Sequence, residues 1–123
     1  MNEFRVTLGW PCKELSPNGR YHWAVVSKAK AAYRNACWAL AIAEGAKQFG
    51  SEWPEGEKRN FHMDFYPPNR RAIDDSNTAY RMKSGIDGVA DALGVDDRYF
   101  RTSYELHDQI GGYVKVTIKR TEN

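Results

Sequence analysis

The sequence predicts an α+β fold: a single domain over residues 1–123, with a small mixed sheet of about four strands and two main helices packed on it. Three observations carry this. Two short stretches alternate apolar and polar residues, two longer ones repeat apolar residues at helical spacing, and two further strand-like runs close the chain. A length of 123 residues suits one hydrophobic core and is short for two.

In chain order, "EFRVTLGW" sets Phe4, Val6 and Leu8 against Arg5 and Thr7, which predicts a first strand near residues 3 to 8. "PCKELSPNGRYH" gathers turn-favouring residues and reads as a loop. From about residue 24 to 48, Val26, Ala29, Tyr33, Ala36, Cys37, Leu40 and Ala43 predict one long helix, capped by Ser27 and stopped by Gly50. "FHMDFY" alternates Phe61, Met63 and Phe65 against His62, Asp64 and Tyr66, giving a second strand near 58 to 66 that ends at Pro67 and Pro68. Ala79, Met82, Ile86, Val89, Ala90 and Leu93 predict a second helix over 76–93, closed by Gly94. The last two runs, "YFRTSYEL" and "YVKVTIK", joined through "HDQIGG", read as a hairpin with Val114, Val116 and Ile118 facing the core.

Composition excludes several classes. Hydrophobic residues at 41%, charged residues at 28% and aromatics at 13% are the usage of a folding chain. No stretch approaches the roughly 18 apolar residues of a membrane span, and "MNEFRVTLGW" lacks the pattern of a signal peptide, so a cytoplasmic protein is expected. Cys12 and Cys37 show neither disulfide-scaffold density nor close ligand spacing, and His22, His62 and His107 are scattered, so no zinc motif is expected. The net charge of +2 conceals an asymmetry: residues 1–34 carry six basic and two acidic side chains, and the rest carry twelve and fourteen. A polyanion would meet the basic end.

The chemistry concentrates in "RRAIDDSNTAYRMKSGIDGVADALGVDD", residues 70–97, where acidic pairs flank the second helix and Lys83 lies within it. Each pair has a plain reading: "DDSN" supplies helix-capping side chains, and Asp96 and Asp97 suit a solvated turn. The combination has a second one. At ~100° per residue, positions 76, 83 and 87 share one edge of the helix, and Lys83 is expected to lean back toward Asp74 and Asp75. Clustered carboxylates form a hard-oxygen site suited to Mg²⁺, or to Mn²⁺, which activates water and neutralises charge in phosphodiester hydrolysis. Lys83 would stabilise the phosphate or orient the water, and Arg70 and Arg71 would hold backbone phosphates.

Taken in order, "LGWPCKELSPNGRYHW", the basic helix ending in "AYRNACW", "YPPNRRAIDDSN", a lysine six residues after the asparagine, "DGVADALGVDD" and a late "GG" resemble the RusA-like endodeoxyribonucleases of bacteria and their prophages. The resemblance spans nearly the whole chain. It implies a small α+β homodimer that uses Mg²⁺ to resolve four-way DNA junctions by paired incisions. It also implies catalytic roles for Asp74, Lys83 and Asp97. Metal would be held by Asp74 and Asp97, with Asp75 and Asp96 beside them, and Asn77 would take the family's asparagine position. Ser76 stands where the family pattern has a second aspartate, and Ile110 replaces a basic residue before the double glycine.

The expected function is therefore a Mg²⁺-dependent, structure-selective endonuclease acting on branched DNA. Its DNA-binding residues would be Arg70, Arg71, Asn77, Arg20, Lys28, Lys30 and Arg34. The alternative is a junction-binding module whose cutting is weakened or lost through Ser76. Trp10, Trp23, Trp38 and Trp53 are assigned to packing and loop anchoring, and Asp64 to the polar side of the second strand.

Overall fold

Four amphipathic strands build one sheet in the computed structural model, which describes residues 2–17, 19–73 and 77–121. They are β1 (Glu3–Gly9), β2 (Arg59–Tyr66), β3 (Phe100–Leu106) and β4 (Tyr113–Arg120), in the order β1-β4-β2-β3. β4 pairs antiparallel with β1 and β2, and β3 lies parallel to β2, so the sheet is mixed. Phe4, Val6, Leu8, Phe61, Met63, Phe65, Val114, Val116 and Ile118 bury one face under the helices, while the alternate residues leave a polar face outward. The α+β domain that the sequence predicts is the one observed.

The predicted hairpin of the last two strands does not form, because β2 lies between them. Burial explains the order. β4 buries Val114, Val116 and Ile118 and needs a neighbour on each side, whereas β3 buries only Phe100 and tolerates the edge. Residues 107–112 cross the end of β2 instead of turning tightly. The amides of His107 and Gly112 bond the carbonyls of Phe65 and Tyr66 at 2.9 and 2.7 Å.

The long first helix is broken. α1 (Trp23–Ala43) ends two residues before Gly45, whose φ of 90° is left-handed and interrupts the helical path, and α2 (Ala46–Ser51) restarts from it. The cap is His22 rather than Ser27: its Nδ1 accepts the Ala24 amide at 3.1 Å. A single four-residue helix, α3 (Arg70–Ile73), follows β2, with Asn69 Oδ1 accepting the Ala72 amide. The second main helix is shorter than predicted: a 3-10 turn covers Thr78–Met82, and α4 runs Lys83–Leu93. Positions 83 and 87 share one edge of α4 as expected, and position 76 lies outside the described residues.

Helices α1 and α4 touch through glycine. A Cβ at Gly88 would lie 2.3 Å from the Arg34 carbonyl oxygen, and one at Gly50 would lie 1.7 Å from that of Leu93. These two contacts seat α4 between α1 and α2, and Cys37, Ala41, Phe49, Val89 and Leu93 complete the core. The packing assigned to the tryptophans holds for Trp53, which is buried, and for Trp10, edge-on to Phe65. It fails for Trp23 and Trp38, which stand 75% and 45% exposed on α1 because that helix turns a narrow face to the sheet. Among the described residues, no helix is long and apolar enough to cross a membrane.

Candidate active site

The C-terminus of α4 determines where Asp97 goes. Gly94, left-handed at φ 70°, donates its amide to the Ala90 carbonyl and reverses the chain. Asp96 then caps the next turn, its Oδ1 accepting the Arg98 amide at 2.9 Å. That bond engages Asp96 in structure and leaves Asp97 as the carboxylate turned back along α4.

Lys83, the first residue of α4, meets it there. Its Nζ donates to Asp97 Oδ2 at 2.5 Å and to Asp87 Oδ1, one helical turn on, at 2.9 Å. Lys83 therefore leans along α4 toward Asp87 rather than toward the helix N-terminus, while Asp74 and Asp75, toward which it was expected to reach, lie outside the described residues. As the first residue of the helix it has no preceding α-turn to lie on, and two carboxylates attract it from the C-terminal side. Hydrogen bonding to Asp97 and Asp87 raises the Lys83 pKa, and the same contact lowers that of Asp97.

An open depression of about 430 Å³ adjoins the cluster, lined by Arg34, Asp87, Asp91, Asp96 and Asp97. It is acidic, and its one arginine is committed. Arg34 spans to Asp91 with two N–H···O bonds of 2.7 and 2.9 Å, so the residue expected to touch phosphate is held by an aspartate. Lys28 and Lys30 are exposed on α1, as are Arg20 in the loop before it and Arg70 and Arg71 on α3. Asn77 is exposed before the 3-10 turn.

Lys83 and Asp97, fourteen residues apart, are thus brought together. Asp74, Asp75 and Ser76 lie outside the described residues. Asp87, placed on one helix edge with position 83 but given no role from the sequence, joins them through the four-residue spacing that ion-pairs on any helix. The donor set fits a hard divalent cation. Asp87 and Asp97 offer only anionic oxygens, and the Lys83 ammonium neutralises both in this structure.

No family model matches the chain. It is 41% identical over 115 residues to an uncharacterized protein of Xylella fastidiosa (strain Temecula1 / ATCC 700964), a match that covers 92% of this chain and 74% of that one.

Proposed function

For this chain, which belongs to the same family as the Xylella fastidiosa protein, we propose a Mg²⁺-dependent endodeoxyribonuclease that resolves four-way DNA junctions. It would work in the cytoplasm as a homodimer, host- or prophage-encoded. The observation that carries the reading is the 2.5 Å contact between Lys83 and Asp97. The RusA-like resemblance assigns both residues to one site, and the fold joins them across the length of α4.

Asp97 and Asp87 would hold Mg²⁺, with Asp74 and Asp75 of the preceding segment as further candidates. Bound there, the ion would polarise the scissile phosphate and lower the pKa of a bound water. Lys83 would donate to the phosphate, whose charge grows as the bond breaks. Lys28, Lys30, Arg20, Arg70 and Arg71 supply sequence-independent phosphate contacts, and exposed Trp23 offers a ring for an unstacked base. Two sites in a two-fold dimer suit a substrate of near two-fold symmetry.

The test is cleavage of a synthetic four-way junction with and without Mg²⁺. Wild type should cut it in paired positions, Lys83→Ala and Asp97→Asn should bind without cutting, and binding should fall steeply with salt. Junction binding without cutting by wild type would favour the binding module, the reading that Ser76 motivates. Neither binding nor cutting defeats both.

A further inference from the structure

The outward face of the sheet carries a second constellation, on the side opposite α4. Parallel pairing sets His62 beside Ser103 and Asp64 beside Glu105, and His107 follows the end of β3. Two carboxylates side by side on one rung repel each other. The obvious counter-ion is directed elsewhere: Lys115 is the β4 partner of Asp64, yet its ammonium lies over the rings of Tyr66 and Tyr113, at 5.5 and 5.6 Å.

Imidazoles fill the gap. His62 Nε2 lies 3.2 Å from Asp64 Oδ1, and its Nδ1 lies 2.7 Å from Ser103 Oγ. A neutral His62 is fully satisfied by this: the serine hydroxyl donates to Nδ1, and Nε2–H donates to the carboxylate. His107 is not. Its Nε2 lies 2.9 Å from Asp64 Oδ1 and 3.1 Å from Glu105 Oε2, so one ring nitrogen faces two anionic oxygens. A single ring nitrogen carries at most one proton to share between them. The ring is held in place by stacking on Tyr66, 4.5 Å between centroids and 2° from parallel.

One imidazole nitrogen and two carboxylate oxygens lie within 4.8 Å of one another, a spacing that could hold a metal ion. We propose that Asp64, Glu105 and His107 form a binding site for a divalent transition-metal ion of the Zn²⁺ or Mn²⁺ class. His62 is a positioning residue that orients Asp64 through its hydrogen bond. Mixed nitrogen and oxygen donors select this class over Mg²⁺, which prefers oxygen alone. Three protein ligands leave coordination positions open, and a cavity of about 550 Å³, lined by His62, Asp64, Arg5 and Arg101, borders the site at Asp64. Arg5 and Arg101 would favour an anionic group on the ion. The histidines are far apart in the chain and meet only because β3 pairs with β2. The site is independent of Lys83 and Asp97 and does not rest on the nuclease reading.

The test is calorimetric titration of the full chain with Zn²⁺, in a Cys12→Ser background because that thiol is exposed. One saturable site should appear, weakened about tenfold or more by His107→Ala and by Glu105→Gln. The Glu105 side chain is 65% exposed, so that variant does not endanger the fold. Asp97→Asn should leave the affinity within about twofold, and Mn²⁺ should broaden the NMR signals of residues 62–66 and 103–107. Absence of saturable Zn²⁺ binding, unchanged affinity in Glu105→Gln, or absence of Mn²⁺ broadening at residues 62–66 and 103–107 would each overturn the proposal.

Discussion

Arg34 and Asp91 join α1 to α4 by a two-pronged ion pair, Nε to Oδ2 at 2.7 Å and Nη2 to Oδ1 at 2.9 Å. Both side chains remain nearly half exposed, so solvent screens the pair and it contributes little to stability. Its larger effect is on charge: it neutralises one basic residue of the surface that DNA would meet. Asp91→Asn should free the guanidinium and strengthen junction binding at low salt. Arg34→Ala should weaken binding less than the pair Lys28→Ala and Lys30→Ala. Gel shifts over a salt series measure both, and equal losses would show that Arg34 leaves Asp91 when DNA binds.

Gly88 and Gly50 are places where backbone meets backbone. An added methyl at either would press on a carbonyl oxygen, of Arg34 or Leu93, that belongs to a packed helix and has little room to yield. Gly88→Ala and Gly50→Ala should each lower unfolding stability by about 1–3 kcal/mol or more. The larger loss is expected at Gly50, where the approach is closer. Urea denaturation of the three proteins decides it.

The Lys83–Asp97 contact sets a pH window. Bonding to Lys83 lowers the Asp97 pKa, so the contribution of the pair is complete above the unfolded aspartate value of about 3.9 and is lost as pH falls through the lower folded value. Lys83 is raised by Asp97 and Asp87, so its contribution is complete below the unfolded value of about 10.4 and is lost as pH rises through the higher folded one. Exposure of both side chains keeps the effect to about 1 kcal/mol or less. Thermal melts of wild type and Lys83→Met should therefore differ most between these limits and converge beyond them. A constant difference at every pH would mean that the stem of Lys83, rather than its charge, matters.

Ser76 separates a weakened metal centre from a rewired one. If the site lacks a ligand, Ser76→Asp should raise cleavage at limiting Mg²⁺ about tenfold or more, each tenfold step corresponding to ~1.4 kcal/mol. If Asp75 already serves, Asp75→Asn should abolish cutting and Ser76→Asp should change little. If "DDSN" is only a cap, neither variant alters metal dependence, and Ser76→Asp shifts stability by about 1 kcal/mol at most. Cleavage rates against Mg²⁺ concentration for the three proteins distinguish these outcomes.

The sequence by itself determined the elements whose signal is local. Phe4, Val6 and Leu8, then Phe61, Met63 and Phe65, then Val114, Val116 and Ile118 alternate so regularly that three strands and their buried faces follow from the pleat alone. Gly94 likewise marks the end of α4, because a residue with no Cβ accepts the left-handed turn. Tertiary structure decided what depends on neighbours remote in the chain. β3 and β4 resemble a hairpin in isolation, but β4 has more apolar surface to bury than one partner covers, and β2 takes the place between them. Asp97 could be set beside Lys83 from the resemblance, and Asp87 from its four-residue spacing, but only the turn after Gly94 brings Asp97 back to the same ammonium. His62, Asp64, Glu105 and His107 show no ligand spacing in the sequence. Their convergence is a consequence of strand register, which a chain read one residue at a time does not contain.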